Sequence, residues 1–260
     1  DTAAILLLNP HLQTLNFAAG RGFRTNAIQR TRLRLGESYA GRSALERQTI
    51  SIPDLSADPL APVLSTNLPG EYFAAYFGTP LIAKGQVKGV LEVFHRSPMH
   101  PDEEWISFLE MLARQAAIAI DNASLFAEMQ RSNTELIMAY DATIEGWSRA
   151  LDLRDRETEG HTQRVTQLTE QLAKRLGVSD AQLVHIRRGA LLHDIGKMGV
   201  PDGILNKNSN LTEEEWQIMR RHPQYAFELL LPINYLRPAL DIPYSHHERW
   251  DGEGYPRRQK

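Results

Sequence analysis

The sequence has no cysteine among its 260 residues. Disulfides, thiolate metal sites and cysteine nucleophiles are therefore excluded, and the lack of cysteine fits a reducing compartment, which we expect to be the cytoplasm. No run of apolar residues is long enough to span a bilayer, and no basic start precedes a signal-like segment. A formal net charge of −3 gives no reason to expect direct nucleic-acid binding. The length and the 42% hydrophobic content instead allow two ordinary soluble domains.

The sequence also lacks an initial methionine, and its first residues, "DTAAILLL", have the pattern of a strand already in progress. We therefore expect the chain to be truncated at its N-terminus. The parent protein is then free to carry a membrane tether.

Strand patterns fill the first hundred residues. Residues 3–8 form an apolar run that ends at Asn9 and Pro10. Residues 79–95 have the pattern of a strand, a turn at Lys84–Gly85 and a second strand. These patterns predict an α+β domain with an antiparallel sheet.

The pattern changes after Pro101, because residues 102–153 contain no proline and one glycine. Apolar residues recur there at steps of three and four, which predicts a long helix. Two interpretations remain open for this helix. It either packs on its own domain as a connector, or forms a parallel coiled coil that holds a homodimer and transmits a signal. The rest of the chain is predicted to be helical, with helix-capping sequences at Ser179–Gln182 and Thr212–Glu215.

Five of the nine histidines occur in order in this helical half, together with two carboxylates. Glu157 precedes His161 by four residues, so both side chains project from one face of a helix. Asp194 directly follows His193, and a bridging carboxylate there could serve two ions. The full set is Glu157, His161, His193, Asp194, His222, His246 and His247.

Each of these residues has a structural alternative when taken alone. Glu157 and His161 could be an exposed helix pair, His193 and Asp194 a hydrogen-bonded structural pair, and His222 an ordinary core histidine. Taken together, the set favours a metal cluster. Imidazole and carboxylate ligands without thiolate favour first-row ions such as Fe, Mn or Zn.

Three stretches carry a specific resemblance: "HDIGKMGVPDGIL", "LTEEEWQIMRRHP" and "HHERWDGEGYP". From about Ala150 to Pro256 the chain resembles the HD-GYP subgroup of the HD-domain metal-dependent phosphohydrolases. The resemblance implies a bacterial phosphodiesterase that hydrolyses cyclic di-GMP to linear pGpG, to GMP, or to both. It also implies two or three divalent metal ions, Fe or Mn first and Zn or Ni as alternatives.

Roles follow from this resemblance residue by residue. Glu157 matches a carboxylate that is associated with a third metal. Six further residues match metal ligands: His161, His193, Asp194, His222, His246 and His247. Lys197 matches the lysine that touches the substrate phosphate, so Asp194 and Lys197 are the expected catalytic residues. Arg164 and Tyr255 are further candidates for substrate contact. Their alternatives are a salt bridge for Arg164 and a turn anchor for Tyr255, while Lys197 could simply be a cation at a helix end.

The N-terminal part resembles a GAF domain, through residues 3–24, 33–55 and 79–94. This resemblance implies a small-molecule sensor whose ligand is unknown. The expected fold is therefore a GAF-like α+β domain at 1–121, a connecting helix at 122–146 and an all-α HD-GYP domain at 147–260. In the HD-GYP family a further helix supplies a last aspartate ligand, so we also expect a C-terminal truncation.

The expected function is hydrolysis of cyclic di-GMP, regulated by the GAF domain. The first alternative is hydrolysis of another cyclic dinucleotide. The second is a catalytically silent module that binds GGDEF-type partners through the loop at residues 251–256.

Overall fold

The computed structural model describes residues 2–155 and 160–259. The chain divides into unit 1, residues 1–131, and unit 2, residues 132–260. Helix α3, Glu103–Asp155, begins in unit 1 and ends in unit 2. None of the helices in the described ranges combines the length and apolarity needed to cross a membrane.

Unit 1 is built on a six-stranded antiparallel sheet with the strand order β3-β2-β1-β6-β5-β4. Its strands are β1 Thr2–Asn9, β2 Thr14–Arg21, β3 Arg32–Arg34, β4 Ile50–Ile52, β5 Ala75–Ala83 and β6 Gln86–His95. The predicted first strand and the predicted hairpin are both confirmed. Lys84 and Gly85 both have positive φ, +50° and +74°, as a two-residue hairpin turn requires.

Helices cover both faces of this sheet, because side chains alternate along each strand. On one face, Tyr76 and Phe94 pack with Tyr39 of helix α1, which spans Ser38–Glu46. Helix α2 spans Ala61–Asn67. On the other face, Phe77 of β5 packs against Leu109 of α3. The expected antiparallel-sheet domain with helices is confirmed.

Unit 2 consists of helices and connecting loops, with no strand among its described residues. After the end of α3 come α4 His161–Arg175, α5 Asp180–Leu191, α6 Asp202–Leu205, α7 Glu213–Met219, α8 His222–Leu230 and α9 Asp241–Ser245. The capping box of Ser179 and Gln182 at α5 is present, as is that of Thr212 and Glu215 at α7.

A close approach between two elements positions the site of unit 2. Ile195–Gly199 form a short 3-10 turn after α5, and this turn packs on α8. A Cβ atom on Gly196 would lie 1.8 Å from the carbonyl oxygen of His222. Only glycine therefore lets the segment that carries Asp194 approach the first residue of α8.

Candidate metal centre

The histidines of the predicted cluster lie at helix ends. His161 and His222 are the first residues of α4 and α8. His246 directly follows α9, and His193 follows α5 after one residue. Helix ends leave backbone groups without helical partners, so ligands placed there can be oriented by the backbone itself.

The same local hydrogen bond orients three of these rings. Nδ1 of His193 lies 2.8 Å from the carbonyl oxygen of Ala190, and Nδ1 of His222 lies 2.8 Å from that of Met219. Nδ1 of His246 is 3.1 Å from the carbonyl oxygen three residues earlier in the same way. A carbonyl can only accept, so each Nδ1 carries the proton and each neutral ring presents a lone pair at Nε2.

The three Nε2 atoms converge on the carboxylate of Asp194. Nε2 of His193 lies 3.0 Å from Oδ2, while Nε2 of His222 and of His246 lie 3.3 and 3.4 Å from Oδ1. Nε2 of His222 is also only 3.2 Å from Nε2 of His246. Since all of these atoms are acceptors when the rings are neutral, the arrangement requires positive charge between them.

The pKa shifts of Asp194 and His193 also indicate that positive charge is favoured at this site. Burial by itself would raise the pKa of the Asp194 carboxyl, but the facing imidazoles of His193, His222 and His246 hold that pKa well below its usual range. Burial would lower the pKa of His193, but Asp194 outweighs burial and raises it. A bound cation satisfies both groups without protonating the rings.

His247 completes a group of four possible ligands. One donor atom from each of Asp194, His222, His246 and His247 lies within 4.8 Å of the others. Burial, followed by the neighbouring imidazoles, lowers the pKa of His247 to about 4, so its ring is neutral at pH 7. One carboxylate oxygen and three neutral imidazoles are a donor set that fits a first-row divalent ion.

Tyr255 packs on this group. Its ring is stacked on His247 with centroids 4.6 Å apart, and its backbone N–H donates to the carbonyl oxygen of His247. The loop before it depends on Gly254, since a Cβ there would lie 2.3 Å from the backbone nitrogen of Arg249. Tyr255 thus anchors the loop and lines the cavity of the cluster, and its contact with substrate stays a prediction.

Lys197 lies at the cluster between two carboxylates. Its Nζ atom is 2.9 Å from Oδ2 of Asp194 and 3.1 Å from Oδ2 of Asp155. All three side chains are largely buried and line one cavity of about 420 Å³. The ammonium group is therefore held at a fixed place beside the cluster.

The remaining predicted residues are distributed as follows. His161 lines the same cavity, with its ring centroid 6.1 Å from that of His193. Arg164 has an exposed side chain and is not among the described residues that line the cavity. Glu157 lies outside the described residues.

Asp155 and Trp216 also line the cavity and were not predicted from the sequence. Asp155 stands two residues before Glu157 in the run "RDRETEGH", and its closeness to His161 in the sequence is the signal that points to it. Trp216 lies in "EEWQIM", where an indole on an amphipathic helix gives no signal of its own.

Comparisons with known proteins agree with this organisation. A family model for the GAF domain matches residues 1–121, and one for the HD domain matches residues 146–260. Among solved structures, the GAF domain of an Acinetobacter phosphoenolpyruvate-protein phosphotransferase is 25% identical, with a TM-score of 0.43 over 48% of this chain and 74% of that chain.

Two curated relatives match part of the chain. The cyclic di-GMP phosphodiesterase of Thermotoga maritima is 45% identical over 111 residues, which are 42% of this chain and 30% of that protein. The 3'3'-cGAMP-specific phosphodiesterase 2 of Vibrio cholerae is 34% identical over 152 residues, which are 58% of this chain and 28% of that protein. The chain thus spans less than a third of the length of either relative. Residues 1–121 are thus similar to the GAF domain, and residues 146–260 are similar to the HD domain.

Proposed function

We propose that the protein is a metal-dependent phosphodiesterase that hydrolyses cyclic di-GMP to pGpG, to GMP, or to both. The observation that carries the proposal is the convergence of His193, His222 and His246, each with Nδ1 committed to a carbonyl, on the carboxylate of Asp194. The relative from Thermotoga maritima, a cyclic di-GMP phosphodiesterase, supports the choice of substrate. We place the reaction in the cytoplasm.

The metal site in this proposal holds two or three divalent ions, Fe or Mn first and Zn or Ni as alternatives. Its ligands are Asp194 and the five histidines of the cluster, with Glu157 for a third ion. The ions supply an acidified water and a positive charge for the phosphoryl oxygens.

The chain's own residues position the phosphodiester. The Lys197 ammonium, held by Asp155 and Asp194, stabilises negative charge that grows on the phosphoryl oxygens. The backbone carbonyls behind the three histidines keep the Nε2 atoms directed at the centre, so no ring has to reorient during the reaction. Arg164 and Tyr255 remain proposed substrate contacts.

The test is metal quantification after anaerobic purification, combined with cyclic di-GMP turnover. We expect at least two equivalents of metal per chain. Asp194→Asn and His222→Ala should each lower turnover about a hundredfold or more and lower the metal content. Glu228→Gln, an exposed change on α8, is the matched control and should alter neither. Fewer than two equivalents with no turnover would instead favour the silent module that binds GGDEF-type partners.

A second substrate has specific support. The Vibrio cholerae relative is a 3'3'-cGAMP-specific phosphodiesterase, and it aligns with 58% of this chain. Side-by-side turnover of cyclic di-GMP and 3'3'-cGAMP distinguishes the two. A higher kcat/KM for 3'3'-cGAMP would reassign the substrate while leaving the site unchanged.

The helix α3 is the proposed dimer contact. Met111, Ile118, Leu125 and Met129 are about half exposed and recur at steps of seven and four, which is the spacing of a coiled-coil seam. Leu125→Glu should reduce the mass of the protein in light scattering to that of one chain. Ala127→Glu, on the opposite face, should leave the mass unchanged, and an unchanged mass for both variants would contradict the dimer.

Regulation by the GAF domain, through an unidentified small molecule, completes the proposal. The proposed domains of the chain are the GAF-like domain at 1–121, the connecting helix at 122–146 and the HD-GYP domain at 147–260. A core substitution in unit 1, such as Tyr39→Ala, should then change turnover by the metal-loaded protein. Equal rates for this variant and the unchanged protein under all conditions would contradict regulation.

A further inference from the structure

A second cavity, of about 570 Å³, adjoins the candidate metal centre. It shares three lining residues with the first cavity: His246, His247 and Tyr255. The stacked rings of His247 and Tyr255 thus face both cavities, and each cavity has a volume typical of a ligand site.

Three arginines contribute positive charge to the lining of this second cavity. Arg220, Arg249 and Arg258 all line it. The guanidinium of Arg249 is already bound, because its Nε lies 3.1 Å from Oδ1 of Asp251. Arg220 lies 3.5 Å from an exposed carboxylate oxygen of Glu213, a contact that water screens.

Arg258 differs from the other two arginines. Within the described ranges, no carboxylate forms an ion pair with its guanidinium. Its backbone has φ +53°, in the left-handed region that residues other than glycine adopt uncommonly. The Glu248 carboxylate, which also lines the cavity, accepts from the backbone N–H groups of Arg257 and Gln259 at 2.6 and 2.9 Å. That carboxylate is thereby committed to the loop. Glu253 is the second carboxylate of the lining, and the cations Arg220 and Arg258 line the same cavity.

We infer that this arginine-lined cavity holds the second phosphodiester of a cyclic dinucleotide whose first phosphodiester lies at the metal centre. The inference rests on the proposed function. A cyclic dinucleotide carries both phosphodiesters in one small ring, so a substrate bound at one cavity must place its other phosphate close by. Guanidinium groups bind phosphate oxygens in pairs, which makes Arg220 and Arg258 the residues that select a substrate with two phosphates.

The kinetic test compares two substrates. Arg220→Gln and Arg258→Gln should each raise KM for cyclic di-GMP roughly ten- to hundredfold, with kcat within about twofold, because each removes a charged hydrogen bond to phosphate. Neither should change the kinetics for bis(p-nitrophenyl) phosphate, a phosphodiester with a single phosphate. Arg175→Gln, an exposed change at the end of α4, is the matched control for both substrates.

A binding test separates this inference from the proposed function. In the metal-free protein, the double variant of Arg220 and Arg258 should bind cyclic di-GMP at least tenfold more weakly than the unchanged protein, while Arg220→Lys should retain part of the affinity. Equal affinity, or an equal rise in KM for both substrates, would overturn the role of the arginines. Absence of turnover in the metal-loaded, unchanged protein would instead overturn the proposed function.

Discussion

A buried carboxyl in unit 1 provides a sharp test of the fold. Glu92 lies in the middle of β6 and is 4% exposed. The Tyr76 hydroxyl donates to its Oε1 at 3.0 Å, and Tyr76 is in turn stacked on Tyr39. Burial raises the pKa of Glu92 from its ordinary 4.5 to about 7, although the Tyr76 hydrogen bond acts in the opposite direction.

The sign and size of the effect follow from proton linkage. Below pH 4.5 the carboxyl is neutral in both the folded and the unfolded chain. Between pH 4.5 and 7 only the unfolded chain ionises, so the free energy of unfolding of unit 1 falls as the pH rises. Above pH 7 the loss is constant and amounts to about 3 kcal/mol. Glu92→Gln cannot ionise and keeps an oxygen acceptor for Tyr76, so it removes this loss.

The assay is equilibrium unfolding in urea at pH 5 and pH 8, followed by a brief amide-exchange pulse at one fixed pH and analysis of peptides from β5 and β6. Part of the loss is already present at pH 5, because this pH lies above the unfolded pKa of 4.5. The gain in free energy of unfolding that Glu92→Gln brings over the unchanged protein should therefore be about 2.5 kcal/mol larger at pH 8 than at pH 5. Glu46→Gln, which alters an exposed pair with Arg42 on α1, is the control and should show a difference below about 0.5 kcal/mol. The same offset for Glu92→Gln at both pH values would refute the reasoning.

Three further predictions concern unit 2. Gly196→Ala should lower the free energy of unfolding by about 3 kcal/mol or more and weaken metal binding, because its Cβ would lie 1.8 Å from a backbone oxygen. Gly203→Ala, which has open space around its Cβ, is the control and should change neither quantity. Urea unfolding and metal titration measure the two effects. His247→Ala should weaken Mn²⁺ binding by the same factor at pH 6 and pH 8, since the pKa of His247 is about 4; a factor that changes between these pH values in a competition titration would contradict this. Asp155→Asn removes one anionic partner of Lys197 and should lower the free energy of unfolding by about 1 to 3 kcal/mol, so an unchanged urea midpoint would count against that ion pair.

Local patterns were predictable from the sequence because short-range physics decides them. The β5–β6 hairpin follows from two strand patterns around Lys84 and Gly85, and both residues adopt the left-handed backbone of such a turn. The helix starts at Ser179 and Thr212 follow from capping boxes that close within three residues.

Contacts between distant residues were less accessible. Asp155 pairs with Lys197 across 42 positions, and no periodicity relates the two. The alternation along β6 does place Glu92 on the same face as Val90 and Phe94. From the sequence alone a carboxyl is nevertheless predicted to be exposed, because a carboxyl is rarely buried without a partner and the partner here, Tyr76, lies on another strand.

The geometry of the candidate metal centre combines these two levels. At His193, His222 and His246 the ring is oriented by the carbonyl three residues earlier, so the orientation of each ligand depends on a contact within its own short segment. Long-range packing then has only to bring the helix ends together, and Gly196 permits the closest of these approaches. It follows that a substitution can abolish metal binding in two separable ways. A change at a histidine removes a ligand and leaves the fold intact, whereas Gly196→Ala keeps every ligand but displaces Asp194 from His222.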